Sequence, residues 1–448
     1  MTTNVGTDFT IESVLFSTDK IRTPVELKQI TTDIDIFEDL NKPYLTANII
    51  IVDDANFTET ANIMGGEKIT IAIGSKRKNT KLIVKTFYIN KITNQNRASD
   101  NVQIVILHLI EDCVFISNLH NICRYYSDNP SEIIKKITNE FLGRDIAYDK
   151  NETQKVNVIT PNLNPLQTCQ WLLDKMTTVD GYPYFFYSTF VGKKFGLKDL
   201  ATLISEAPVN ETPYVWSQLA SQTMNPGITR RSIRTFNLEK SHNLTSLIKS
   251  GLIGAKYSFI NTTSDVKTKM SFDFDIVEDV FEPAIKYGTL PRYQNNPSFT
   301  PSYKHEAKSF NEFQSRHIVP FGGSNPYRIT HLPEKKDEIP QYPLTLGEAY
   351  DEANYKQFVI AKSLLHFLQK APLNIVVSAL DFIDGDKHST IGNQIRCKFK
   401  QSSPSNPDGE GMDSKLSGDY IIFRARHIIK PNNYHVSLNM VKLGDRKS

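Results

Sequence analysis

His108, Cys113, His120 and Cys123 are residue types that bind zinc, and one stretch holds them all, "HLIEDCVFISNLHNIC". Zinc fingers and ribbons bring their ligands in close pairs such as C-x-x-C, and this spacing contains none. The two cysteines sit among apolar residues, so buried thiols and ordinary histidines are expected here. Asp381, Asp384 and Asp386 crowd together in "DFIDGDKH". A calcium loop needs a further glycine and a distant glutamate, whereas Asp-Gly by itself signals a hairpin turn. "STDK" (17–20) matches Ser-x-x-Lys, the nucleophile pair of some acyl-transfer enzymes, but its partner motifs are missing. The glycine pairs in "MGGEK" and "FGGSN" lack a phosphate-loop framework. G-x-S-x-G, H-E-x-x-H and a dinucleotide fingerprint are all absent. Any chain with 49 acidic residues contains candidate carboxylate pairs of the kind a glycosidase uses, so carboxylates alone identify nothing. The expectation is no catalytic residue, no cofactor and no metal.

Composition is ordinary for a soluble protein with sizeable cores. Of 448 residues, 39% are hydrophobic and 23% charged, enough apolar matter for two to four domains. A net charge of +3 argues against a broad nucleic-acid-binding face, and Arg230, Arg231 and Arg234 form only a short basic cluster. The first ten residues, "MTTNVGTDFT", have no apolar core, so no signal peptide is expected. The longest apolar run, "VQIVILHLI", is too short to span a bilayer and its β-branched residues suit a buried strand. Four cysteines without a C-x-x-C pair suggest reduced thiols from a cytosolic setting.

The elements that must hold any site are legible in part. "DNPSEIIKKITNEFLG" predicts a helix opened by Pro130 and closed by Gly143, with Ile133, Ile134, Ile137 and Phe141 on one face. "NPLQTCQWLLDKM" predicts a second, capped by Asn164 with Pro165 inside. "YPYFFYS" and "KKFGLKDL" predict a hairpin, and the aromatics from Tyr182 to Tyr187 are expected in core and interface rather than on a ligand platform. Thr345 and Glu348 form a capping box that opens a helix over 346–370, ended by Pro372. Residues 275–344, rich in Pro, Asn, Ser and Tyr, read as an extended insertion laid over a neighbouring surface.

The organising feature is a repeat. Ala47 placed on Leu373 aligns Asn48 with Asn374, Ile49 with Ile375 and Ile51 with Val377. Without a gap, Gly66 then meets Gly392, Ile69 meets Ile395 and Ile71 meets Cys397. Alternation after each glycine has the period of a half-buried strand, and the glycine suits a turn of positive φ. Downstream, "TFYINKI" is set against "IFRARHI" with Phe87 on Phe423. "NVQIVILHLI" is set against "NYHVSLNMVK" with Val102, Ile104 and Ile106 on Tyr434, Val436 and Leu438. Early strands of the second copy are expected in "RSIRTFNLEK" and "AKYSFINT". The fold class is therefore mainly β with α+β insertions: two antiparallel β-barrels and a mixed α/β middle domain. Expected boundaries are 1–111 for the first barrel and 112–229 for the middle domain. The second barrel is discontinuous, 230–274 and 345–448, with 275–344 as its insertion.

The order of these features, and in particular "NPLQTCQWLLDKMTTVDGYPYFFYS" and the closing "SGDYIIFRARHIIKPNNYHVSLNMVKL", resembles the baseplate hub proteins of contractile-tailed bacteriophages. More distantly it is similar to the N-terminal part of type VI secretion spike proteins. The resemblance implies two tail-tube-like barrels per chain and a homotrimer that presents six of them in a ring. It implies a symmetry adaptor between a hexameric tail tube and a trimeric central spike, in the baseplate of a virion assembled in the host cytoplasm. Tube, spike and neighbouring baseplate proteins are the implied partners, with DNA only as transient cargo and no membrane anchor. Because the last expected strand ends near Ser448, the spike is expected as a separate polypeptide. The strands expected to build barrel and ring carry Ile49, Ile51, Ile69, Ile71, Ile375, Val377, Ile395 and Cys397. Two rival readings are a hub-like component of a contractile injection or secretion particle and a β-rich carbohydrate-binding or carbohydrate-cleaving protein.

Overall fold

The computed structural model describes residues 9–75, 82–99, 102–148, 155–210, 212–216 and 231–238. It also describes most of 373–446 and short pieces between 255 and 365. Alternating apolar residues make the first six long strands: β1 (Phe9–Ser17), β2 (Thr31–Asp39), β3 (Thr46–Asp53), β4 (Lys68–Ser75), β5 (Ile83–Ser99) and β6 (Val102–Glu111). In β3 every second residue, Ala47, Ile49 and Ile51, is buried, as a period of two requires. Hydrogen bonding orders this block β2-β3-β6-β5-β4-β1.

A middle segment follows. Helices α1 (Pro130–Leu142) and α2 (Pro165–Leu173) start where their prolines place them. Gly143 closes α1 at φ 59°, and Asn164 with Gln167 forms a capping box on α2. β7 (Tyr184–Tyr187) and β8 (Phe195–Asp199) form the expected antiparallel pair, with the aromatic run buried throughout. α3 (Leu200–Ser205) leads on towards β9 (Tyr214–Trp216) and β10 (Thr235–Leu238). A second apolar core, with Ile133, Ile137, Leu172 and Phe186, belongs to this segment.

The late strands are β11 (Leu373–Ser378), β12 (Gln394–Phe399), β13 (Gly418–Lys430) and β14 (Asn433–Arg446). Their order, β10-β11-β14-β13-β12-β9, repeats the order of the first block strand for strand. One pairing differs in sense: β1 is antiparallel to β4, whereas β9 is parallel to β12. The glycines are equivalent in detail. Gly66 (φ 88°) donates to the Ile89 carbonyl at 2.7 Å, and Ile89 donates back to Glu67 at 2.9 Å. Gly392 (φ 78°) donates to Ile422 and Ile422 to Asn393, both at 2.9 Å. Asn48 and Asn374 are equivalent too, each bonded across the ladder, to His108 Nδ1 at 2.9 Å and to Asn439 at 2.8 Å.

The ladders correct three parts of the sequence alignment. Ile69 faces Phe87 and Ile395 faces Tyr420, so Phe87 corresponds to Tyr420, three residues from Phe423. Phe423 instead occupies a β-bulge, and Asn90 occupies the matching bulge of β5. Ile49 faces Leu107 and Ile375 faces Leu438, so Leu107, not Ile106, corresponds to Leu438. A one-residue slip turns a strand over, and Ile106 does lie on the face opposite the core. The strand Ala255–Asn261, expected as an early strand of the second copy, pairs with Lys269–Phe274 and Ser315–Gly322 in a separate sheet. The second block takes β9 in its place, beside β10, which lies in the expected segment "RSIRTFNLEK". Most of the expected helix over 346–370 and of the insertion 275–344 lies outside the described residues.

Candidate functional site: the seam between the two blocks

The two blocks are hydrogen-bonded to each other. β2 pairs antiparallel with β13 from Asp39↔Arg424 to Ile34↔Ile429, which makes a single sheet of both blocks. The Phe423 bulge allows this. Before it, the same edge of β13 serves β12, and after it, β2. Leu40 N–H donates to the bulged Phe423 carbonyl at 3.0 Å.

On the outer face of the seam, acids of β2 meet bases of β13. Arg424 Nε lies 3.0 Å from Asp39, Arg426 Nη2 2.7 Å from Asp35, and Lys430 Nζ 2.8 Å from Asp33. Arg426 also lies over the Phe37 ring, 5.6 Å from its centre. Hydrogen bonding to Asp35 raises the Arg426 pKa, against the opposing effect of burial. Phe37, Asp39, Arg424 and Arg426, with Lys42, Tyr44, Ser437 and Asn439, line an open cleft of ≈ 600 Å³. Exposed pairs of this kind contribute up to about 1 kcal/mol each, so their main effect is on register and partner choice.

The inner face holds a buried polar chain. His427, fully buried, accepts from or donates to Tyr434 Oη through Nδ1 at 2.8 Å and meets Glu38 Oε2 through Nε2 at 3.2 Å. The neutral Nε2–H tautomer satisfies both contacts: Nε2–H donates to Glu38 and Nδ1 accepts from the Tyr434 hydroxyl. Glu38 Oε1 accepts the backbone N–H of Phe190. Burial, reinforced by the Glu38 charge, pushes the Tyr434 phenol well above its ordinary range. A carboxylate–imidazole–phenol chain resembles a catalytic relay, but one buried this fully offers no face to a solute. Its physical effect is to fix β2, β13, β14 and the Phe190 loop together.

The segment 188–193 carries that connection to the middle region. Glu111 accepts from Arg144 Nη1 at 2.8 Å and from Ser188 Oγ at 3.1 Å. Arg144 also donates to Ser188 Oγ at 2.8 Å and to the Lys193 carbonyl at 2.9 Å. Lys85 Nζ donates to the Gly192 carbonyl at 2.6 Å and lies 3.8 Å from Glu111. Burial holds the Lys85 pKa below the usual lysine range, with the Glu111 carboxylate opposing. In the second block, Gln394 donates from Nε2 to the Leu203, Ile204 and Glu206 carbonyls at the end of α3. Asn210 meanwhile brackets Arg396 with bonds of 2.9 and 3.0 Å.

All eight residues singled out for the assembly strands are buried: Ile49 and Ile51 in β3, Ile69 and Ile71 in β4, Ile375 and Val377 in β11, Ile395 and Cys397 in β12. They belong to one hydrophobic core that runs through both blocks. None touches the surface, so any contact they make with a second molecule passes through the strands they anchor. The seam residues Glu38, His427, Asp35 and Arg426 were missed. Glu38 carried a signal, as an acid at an apolar position of the Ile34, Ile36, Glu38 alternation. His427 carried none, because the bulge changes which face it meets.

The residues first considered for zinc are engaged elsewhere. His108 bonds Asn48 and Thr93, Cys113 is buried beneath the Pro43 carbonyl, and the His120 ring packs at a tilt against Phe141. Cys123 is exposed, and all four thiols are free. Burial pushes the Cys113, Cys169 and Cys397 thiols far up, away from reactivity. Among the described residues no group of three or more His, Cys, Asp or Glu is placed to hold a metal, and no helix is long and apolar enough to cross a membrane. Asp381, Asp384 and Asp386 lie outside the described residues.

No family model and no curated protein matches the sequence. Solved structures do match. A tail protein from Neisseria meningitidis MC58 superposes over 96% of this chain and 96% of its own, with a TM-score of 0.51 and 10% identity. The 43 kDa tail protein of prophage MuSo2 from Shewanella oneidensis superposes over 96% of this chain and 98% of its own, with a TM-score of 0.54 and 8% identity. At such identities the likeness is one of fold, and nearly the whole of this chain has the fold of these tail proteins.

Proposed function

We propose that this chain is a structural subunit of a phage tail, at the baseplate hub, where three copies form a ring that joins the hexameric tube to the trimeric spike. The observation that carries the reading is the repeated strand order with one shared seam. A chain that folds the same block twice gives a threefold assembly a sixfold face, which matches a six-subunit tube above and a three-subunit spike below. The shared fold of tail proteins supports the same setting. We divide the chain by its ladders: a first block to residue 111, a middle segment from 112, and a second block of β9, β10 and β11 to β14, with the sheet of 255–261, 269–274 and 315–322 outside it. The mechanism is shape and symmetry matching, with DNA passing through the channel as cargo.

The test is the assembly state. Size-exclusion chromatography with light scattering, and negative-stain images of the peak, are expected to give a trimer with a six-lobed ring. A chain that stays monomeric at every concentration, and also with its spike protein present, overturns the reading.

A further inference from the structure

Among the described residues, the shared seam leaves two matching edges outside any second ladder. β10 occupies in the second block the place of β2 in the first. Ile36 faces Ala47 on β3, and Leu238 faces Leu373 on β11. Likewise β5 corresponds to β13. Asn94 faces Val105 on β6, and His427 faces Val436 on β14. Within the chain β2 and β13 are joined, with Ile36 opposite His427. Among the described residues, β10 pairs only with β11, and β5 beyond Ile89 pairs only with β6. Each therefore presents a row of backbone donors and acceptors on the edge whose counterpart is satisfied inside the molecule.

We infer that β10 of one copy docks antiparallel on the Lys91–Asn96 stretch of β5 in a second copy, in the register of the internal seam, with Leu238 opposite Asn94. This rests on the ring reading and adds to it the strands, direction and register of the contact between copies. The occupant is a second copy because the chain itself shows the geometry of the joint. A β10 strand has the direction and neighbours of β2, and β5 has the direction, the neighbours and, at Asn90, the bulge of β13, with a further bulge at Gln95, past the Asn94 contact, that β13 lacks. The contact is head to tail, so it closes only as a ring or continues as a filament.

The two seams differ in chemistry. Asp33 and Asp35, which pair with Lys430 and Arg426, correspond to Thr235 and Asn237. Arg426 corresponds to Thr93. The contact between copies has backbone hydrogen bonds and apolar packing where the internal seam has ion pairs. Screening by salt acts on exposed charge pairs and leaves such a contact unaffected.

The experiment uses the full chain with Cys123→Ser, which removes the exposed native thiol, combined with Asn94→Cys and Leu238→Cys. Directly opposed residues of an antiparallel pair lie about 4.5–5.5 Å apart at Cα, within disulfide range. Mild oxidation is expected to give chains linked to one another, closing at three, with the particle unchanged in size. A shifted pair, Asn94→Cys with Thr235→Cys, lies three residues out of register, roughly 10 Å, and is expected to stay unlinked. The assembled fraction is expected to change less than about twofold between roughly 0.1 and 1 M salt. A ring that forms but links only through the shifted pair, or through neither, overturns the register and leaves the ring reading standing. Dissociation with rising salt overturns the seam chemistry. A monomer in every variant overturns both readings.

Discussion

Single residues carry two measurable consequences. Gly66 and Gly392 sit at φ 88° and 78°, where a side chain is strained, so alanine at either costs roughly 1–2 kcal/mol. Gly392→Ala is expected to cost more. Its Cβ meets Leu203 Cδ2 at 3.3 Å and Leu40 Cδ1 at 3.5 Å, whereas a Cβ at Gly66 meets nothing within 4 Å. Urea denaturation of the two variants measures the difference, and equal losses would contradict the crowding at Gly392. His435 gives a pH dependence. Burial first, and the Arg234 charge second, push its imidazole down to about 4 from 6.5. The folded state favours the neutral ring, so this contribution is complete above pH 6.5 and is lost as pH falls through 4. The loss is at most about 3 kcal/mol. His435→Gln is expected to flatten the fall in urea midpoint between pH 7 and 4, and an unchanged slope would assign the acid sensitivity to other groups.

Strands give the next scale. Ile49 and Ile375 occupy the same position in equivalent strands, both fully buried. An aspartate at either leaves a charge without a partner inside the core, at a cost of about 4 kcal/mol or more. Ile49→Asp and Ile375→Asp are expected to lower stability by similar amounts, read as urea midpoints or as loss of soluble protein. Wild-type behaviour of either would mean that its strand is not packed as described. The strands themselves were legible because period-two alternation is local. Register was not, because alternation looks the same after a shift of two and the bulges at Asn90 and Phe423 shift it by one. The identical aromatics Phe87 and Phe423 therefore invited a pairing that the ladder through Tyr420 replaces.

At the scale of the whole molecule, the β2–β13 ladder and the continuous core make the two blocks one mechanical unit. Damage in one block is then felt in the other. Trp216 packs edge-to-face against Phe236 in the second block, and the chain's other tryptophan is Trp171. With Trp171→Phe, fluorescence reports on the second block alone. Ile49→Asp, in the first block, is expected to shift that transition to lower urea together with the circular-dichroism transition. A fluorescence transition that stays in place while circular dichroism shifts would show the blocks unfolding separately. The strap from Ser188 to Lys193 extends the unit to the middle segment through Glu111, Arg144 and Lys85.

The sequence by itself determined the β-rich class, the helix caps at Pro130 and Asn164, the turn glycines and the fact of a repeat. Each follows from residues near one another in the chain, where steric preference and alternation act without help. The tertiary structure alone decided that β2 joins β13 and that Glu38 and His427 meet, residues 389 apart in the chain. It also decided that β9, rather than 255–261, joins the expected β10 in completing the second block. A strand edge offers the same backbone donors and acceptors to every candidate partner, so its choice of neighbour is settled only when the surrounding side chains have packed.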